Sequence, residues 1–211
     1  MNFDTGRPRL FPNLPPVVRN LVIINIVVMI ATWLGGDRMY GTFALFSFGS
    51  PLFRPWQLVT HMFMHGGFWH IFFNMYTLFF FGMALERTWG SKKFVIYYFV
   101  TGLGAAACHL AVMYLQGAPL NIPTVGASGA VYGVLLAYGM LYPNSRITMV
   151  FPIPVTLKAK WFVVIFGAIE LVTGIFDTTS GIAHFAHLGG MIFGFFLILW
   201  WKKRNRLYTW E

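Results

Sequence analysis

Three short stretches carry side chains able to do covalent chemistry. TVGASGAVYG (124–133) sets one hydroxyl, Ser128, between Gly126 and Gly129; AHLGGMIFG (186–194) carries His187; HMFMHGGFWHIFFN (61–74) carries His70 and Asn74. A serine beside a histidine can attack a carbonyl, because the base takes the hydroxyl proton as the new bond forms. His70 and Asn74, four residues apart, share a helix face and can supply the hydrogen bonds a tetrahedral oxyanion demands. Taken alone, Ser128 is equally a small residue at a crowded helix contact. The decision rests on whether the chain brings the three stretches to one place.

The elements that must do so are membrane helices. With 57% hydrophobic and 10% charged residues, the 211-residue chain has too little polar surface to cover a soluble globule. Apolar runs fall at 17–34, 68–85, 94–115, 128–142, 161–176 and 182–201, mostly near the roughly 20 residues that span a bilayer core as helix. The expected fold is an all-α polytopic membrane protein of six transmembrane helices. It forms a single domain over 1–211, with a short N-terminal segment (1–16) and a C-terminal tail (202–211). The connection from Gly35 to Gly67 is long and rich in aromatics, including Phe53, Trp56 and LFSFG, and is expected to lie in the membrane interface. Pro51 and Pro55 break any continuous helix there.

The net charge of +9 does not point to nucleic acid, because of where the charges lie. If six spans alternate, every basic residue except Arg38 and Arg54 falls on one side, which places both termini in the cytoplasm. The first run is long for the apolar core of a cleaved signal peptide, and losing it would upset this alternation. Cys108 is the one cysteine, so no intrachain disulfide forms.

Depth then links the three stretches. The run 128–142 stops at Pro143-Asn144 and covers only about 22 Å as helix, against a core of roughly 30 Å. With Tyr142 at the inner interface, Ser128 starts about 8 Å below the outer surface, and the non-helical QGAPLNIPTVGA before it needs a protein-lined, wet cavity. His187 also lies about 8 Å deep, Asn74 about 9 Å and His70 about 3 Å. Gly129 with Gly133, and Gly190 with Gly194, have the spacing that lets helix backbones approach, so spans four and six are expected to touch and to bring Ser128 to His187.

Together with ALERTWG (84–90), these stretches, in this order and on these spans, resemble the rhomboid family of intramembrane serine proteases. The resemblance implies a compact rhomboid-like bundle with a short fourth helix. It implies a Ser128 nucleophile and a His187 base without a carboxylate, His70 and Asn74 as oxyanion stabilisers, and Tyr132 as the ring on which the histidine rests. Gly126, Gly129, Gly190 and Gly194 would support the site. No cofactor or metal is expected. The partners would be transmembrane protein substrates entering laterally from lipid, in what is expected to be a bacterial inner (plasma) membrane. One departure is visible: the family carries Trp-Arg in the first external loop, whereas Trp56 precedes Gln57 here, leaving Arg54 as the candidate substitute.

Other readings stand beside this one. A transporter also places polar residues at membrane depth, and a haem- or metal-binding membrane protein uses paired histidines. His61 and His65 are four apart but enclose Met-Phe-Met rather than a zinc protease's glutamate, so they read as structural; so do His109 and His184. Glu86 reads as loop-fixing. Among six acidic residues only Glu170 and Asp177 come near His187 in depth, and a triad is not expected. Glu170, in IFGAIELVTGIFD, lies about 10 Å inside and is expected either to bond a neighbouring helix or to line the lateral gate.

Overall fold

Proline at the first helical position opens the first helix of the computed structural model, which describes residues 14–149, 154–176 and 184–207. This helix, α1 (Pro16–Gly35), lacks a capping side chain of its own. Buried Glu86, near the end of the second span, does the work instead: its carboxylate accepts from the Val17 and Val18 N–H groups at 2.9 and 2.8 Å and from Ser91 Oγ at 2.6 Å. The anion thereby sits against the positive end of α1 and at the start of α6 (Ser91–Leu115). Glu86 therefore fixes the entry to α1 and the short Gly90 turn that leads into α6.

Among the described residues, five helical segments are long and apolar enough to cross a membrane: α1, the continuous stretch Phe68–Trp89, α6, α8 (Ala159–Phe176) and α9 (His184–Lys203). A sixth apolar helix, α7 (Ser128–Leu141), is shorter. The second stretch is divided into α4 (Phe68–Thr77), a π turn at Leu78–Gly82 and α5 (Met83–Trp89). The outer surface is apolar as well as the core: Ile23, Val27, Val164 and Val172 are exposed, while Asn25, Thr101, Glu170 and His187 are buried among apolar residues. That distribution suits a hydrocarbon solvent, where polar groups find partners only in the interior.

The mostly helical chain carries one addition that the all-α expectation does not include. Between α7 and α8, β1 (Arg146–Met149) and β2 (Val155–Lys158) pair antiparallel, with Arg146 opposite Lys158 and Met149 opposite Val155. Their isoleucine, valine and threonine content suits strands, and Thr148 and Thr156 hydroxyls bond across the pair at 2.9 Å.

The long first connection is folded rather than loose. It holds α2 (Asp37–Phe43), α3 (Gln57–Thr60) and a 3₁₀ turn at His61–Phe63. Gln57, fully buried, staples it: its amide donates to Leu52 O at 3.0 Å and Thr42 O at 3.4 Å, and its oxygen accepts from Arg54 N at 3.0 Å. Trp56 Nε1 also donates to Thr42 O. Gln57 thus holds this loop itself, while the Arg54 side chain bonds the nearby Pro51 and Phe53 carbonyls.

Candidate active site

Ser128 is the first residue of α7, where the first-turn N–H groups have no partner inside the helix. The segment leading to it is non-helical, and its backbone is satisfied by protein. Leu45 and Thr124 exchange hydrogen bonds of 2.9 and 2.8 Å, and Gly126 N donates to His61 O at 2.9 Å. The first connection therefore walls the descent to Ser128, as buried irregular backbone requires.

His187 sits one turn into α9, and its Nε2 is 2.8 Å from Ser128 Oγ. What permits this approach is backbone contact: a Cβ on Gly190 would lie 1.9 Å from Gly129 O. The other two glycines of the paired motifs behave differently. Added Cβ atoms on Gly133 and Gly194 would meet Thr101 and Tyr97 of α6, not each other. Small residues serve a three-helix crossing, with Tyr97 Oη donating to Gly133 O at 2.8 Å.

The His187 ring lies parallel to Tyr132, with centroids 4.3 Å apart and planes 4° apart. Beyond it stands Glu170 of α8, only 6% exposed. Glu170 Oε2 is 2.6 Å from His184 Nδ1 and 2.9 Å from His187 Nδ1, while Tyr132 Oη donates to Oε1. A histidine without a carboxylate is therefore not what the structure contains, and Glu170 is turned toward α7 and α9. Asp177 lies outside the described residues. The His187 Nδ1–H is off-line from Oε2, so this 2.9 Å contact is a close electrostatic one rather than a straight hydrogen bond.

His70 approaches from α4. Its Nδ1 accepts from Gly66 N at 3.3 Å, which leaves the proton of the neutral ring on Nε2. That Nε2 lies 2.8 Å from where a Gly126 Cβ would stand, and Ser128 Oγ lies 3.4 Å from the same point. Gly126 has φ +133°, which side chains rarely adopt, so glycine is required both for the turn and for the bare space between the two groups. Asn74, one turn further along α4, donates from Nδ2 to His70 O at 2.8 Å and keeps a second amide hydrogen.

Behind Ser128 a cavity of about 20 Å³ is lined in part by His61, His109, Thr124 and Gly126. It has room for about one water molecule and polar groups to hold it. His109 Nε2 and Thr124 Oγ1 are 2.7 Å apart, and His61 Nδ1 is 2.7 Å from Gln57 O. Burial lowers the pKa of His61 to about 4, against a partial upward pull from the Gln57 carbonyl. Burial, with His70 nearby, lowers that of His65 to about 3. Both are neutral around pH 7.

Glu170, His184 and His187 place three ligand-type atoms within 4.8 Å of one another. Their spacing is that of hydrogen bonds. Tetrahedral ligands at about 2.0–2.1 Å from zinc stand about 3.3 Å apart, wider than the 2.6 and 2.9 Å here.

Residues 52–204 match the Rhomboid domain family. The chain belongs to the rhomboid family. RHOMBOID-like protein 4 of Arabidopsis thaliana is 35% identical over 151 residues, covering 67% of this chain and 33% of that protein. YdcA of Bacillus subtilis (strain 168) is 33% identical over 214 residues, covering 98% of this chain and 97% of YdcA. Rhomboid protease GlpG of Yersinia pestis (strain Pestoides F) is 26% identical over 196 residues, covering 92% of this chain and 65% of GlpG. The chain thus spans about a third of the Arabidopsis relative's length. As a rhomboid with five long apolar helices, it is an integral multi-pass membrane protein.

Ser128, His187, His70 and Tyr132, all singled out from the sequence, meet at this place with Asn74 one turn along α4, whereas the contact of Glu170 with His187 is not anticipated there. The available signal was depth: Glu170 is the one acidic residue well inside an apolar run, at the level of the serine. The staple made by Gln57 had no such signal.

Proposed function

We propose that the protein is an intramembrane serine endopeptidase that cleaves membrane-protein substrates within or near their transmembrane helices. The observation that carries this reading is the 2.8 Å approach of Ser128 Oγ to His187 Nε2 inside an apolar bundle. Ser128 Oγ attacks the scissile carbonyl carbon as its proton passes to Nε2, and the resulting oxyanion is met by His70 Nε2–H, the Asn74 amide and the N-terminus of α7. Collapse expels the amine, which takes the proton from His187. Water, deprotonated in turn by His187, then hydrolyses the acyl-enzyme.

The reading extends to the membrane. The whole chain is one rhomboid domain, and α7 is the short fourth of six spans. The first connection lies in the outer interface, and both termini face the cytoplasm, as the distribution of basic residues favours. Substrate comes sideways from lipid, water from the outer face. A substrate helix unwinds first, because its carbonyls are otherwise hydrogen-bonded, so small or helix-breaking residues near the cut are preferred. The same distribution argues against nucleic acid as a partner; a bacterial plasma membrane as the location rests on the family resemblance alone.

The test is incubation of detergent-purified protein with a transmembrane substrate, comparing wild type with Ser128→Ala. Cleavage should vanish in the variant; cleavage at the wild-type rate would refute the assignment.

A further inference from the structure

An ionisable group inside a membrane bundle is retained only where partners offset its cost, so the partners of Glu170 show what it does. Among the described residues it has three, and two would suffice for a brace. Tyr132 on Oε1 ties α8 to α7, and His184 on Oε2 at 2.6 Å ties α8 to α9. The third, at 2.9 Å, is Nδ1 of the imidazole whose Nε2 faces Ser128. We propose that Glu170 is a positioning residue for His187, making the site a Ser128–His187–Glu170 triad. This inference rests on the serine-protease reading above.

The physical argument concerns the tautomer. An ionised carboxylate only accepts, so a ring nitrogen held against it carries the proton. With the proton on Nδ1, Nε2 presents its lone pair to the Ser128 hydroxyl, the state a general base needs. Among the described residues, no other acceptor lies in line with the buried His187 Nδ1. The ring lies flat on Tyr132 and can turn in its own plane, and Tyr132 in turn holds the carboxylate. As imidazolium forms, the anion at 2.9 Å draws Nδ1–H into line, in keeping with catalytic hydrogen bonds that tighten only in the reacting complex. Among the described residues, the titratable groups that face His187 besides Tyr132, His184 and Glu170 are His70 on α4 and His109 on α6.

The experiment compares Glu170→Gln, Glu170→Asp and His184→Gln on a transmembrane substrate and on a short soluble peptide ester, with thermal stability measured alongside. Glutamine can offer its NH₂ to Nδ1 and hold the wrong tautomer, so kcat/KM should fall about 10²–10⁴-fold, equally on both substrates. The pH–kcat/KM profile of Glu170→Gln should differ in shape from that of wild type, whereas loss of a mere brace would leave the shape unchanged. Glu170→Asp, which keeps the charge, should recover at least about tenfold over Glu170→Gln. His184→Gln, which leaves Glu170 on His187, should lose less than about tenfold.

Glu170→Gln within about threefold of wild type would overturn the proposal, and so would an unchanged pH–kcat/KM profile. Equal losses in Glu170→Gln and His184→Gln would reduce Glu170 to a brace. If Glu170→Gln does not fold, the Glu170→Asp and His184→Gln pair decides. A loss confined to the transmembrane substrate would instead make Glu170 part of a gate. Wild-type activity lost to a chelator and restored by zinc would make the cluster a metal site. Cleavage surviving Ser128→Ala would sink the protease reading itself; an inactive Ser128→Ala beside an unimpaired Glu170→Gln sinks the triad alone.

Discussion

Replacing Gly190 by alanine tests whether the backbone contact between α7 and α9 sets the catalytic distance. The added Cβ would stand 1.9 Å from Gly129 O and 2.7 Å from Gly129 C, both backbone atoms, whereas real Cβ contacts essentially never fall below 3.0 Å. The shortfall of about 1.1 Å cannot be met by turning a side chain, so the helices must part. Gly190 is one turn from His187, and Gly129 is next to Ser128. A separation of that size along the Ser128–His187 line carries the 2.8 Å contact toward about 3.9 Å, beyond hydrogen-bond range. Misplacement by about 1 Å costs on the order of 100-fold in rate, and overpacking costs about 1–3 kcal/mol of stability. The assay is kcat/KM on a soluble peptide ester, with thermal stability in the same detergent. Gly167→Ala is the control, because its Cβ would meet only the flexible end of Met191 at 3.1 Å, and it should stay within about threefold of wild type. Gly190→Ala matching the Gly167→Ala control would refute the reasoning.

Three further outcomes follow from the same geometry. Because burial lowers the pKa values of His61 and His65 to about 4 and about 3, the unfolded chain binds protons that the folded one refuses below pH 6.5; each should cost about 2 kcal/mol at pH 5, read as a falling Tm of the Ser128→Ala protein, and a Tm flat from pH 7 to 5 would contradict this. Glu86→Gln, which weakens the cap on α1 and the contact with Ser91, should lower stability by about 1–2 kcal/mol while leaving kcat/KM of the folded fraction unchanged; an unchanged Tm would dismiss the cap. Asn74→Ala should lose about 100-fold in kcat at near-normal Tm, and a loss appearing only in KM would count against an oxyanion role.

Depth was legible in the sequence, and direction was not. Apolar runs give helices with ends near those observed, and a rise of 1.5 Å per residue places Ser128, His187, Asn74 and Glu170 in one layer. Which way a side chain points around its helix depends on which neighbours that helix has, and a run apolar on all sides does not say. Depth puts Glu170 at the level of Ser128 and His187 but leaves a gate and a structural bond both open, while its carboxylate reaches His187. The same limit applies to Gly133 and Gly194, whose spacing announces close packing but not that the partner is α6. The hairpin at Arg146–Lys158 escaped because an apolar background hides a four-residue strand, and the π turn at Leu78–Gly82 has no signature within LFFFG.

A buried histidine acting alone must become a cation in a medium that solvates cations poorly, at the moment when a second charge forms on the oxyanion. An anion already present at 2.9 Å changes that balance: the cost of charge burial is met on folding, by Tyr132 and His184, rather than during the reaction. The carboxylate is in turn usable because α8 presents it away from lipid, onto the two helices that carry Ser128 and His187. Helix packing and proton transfer therefore depend on the same contacts. Changes at the crossing of α7 with α9, such as Gly190→Ala, should consequently alter the pH dependence of the reaction as well as its rate.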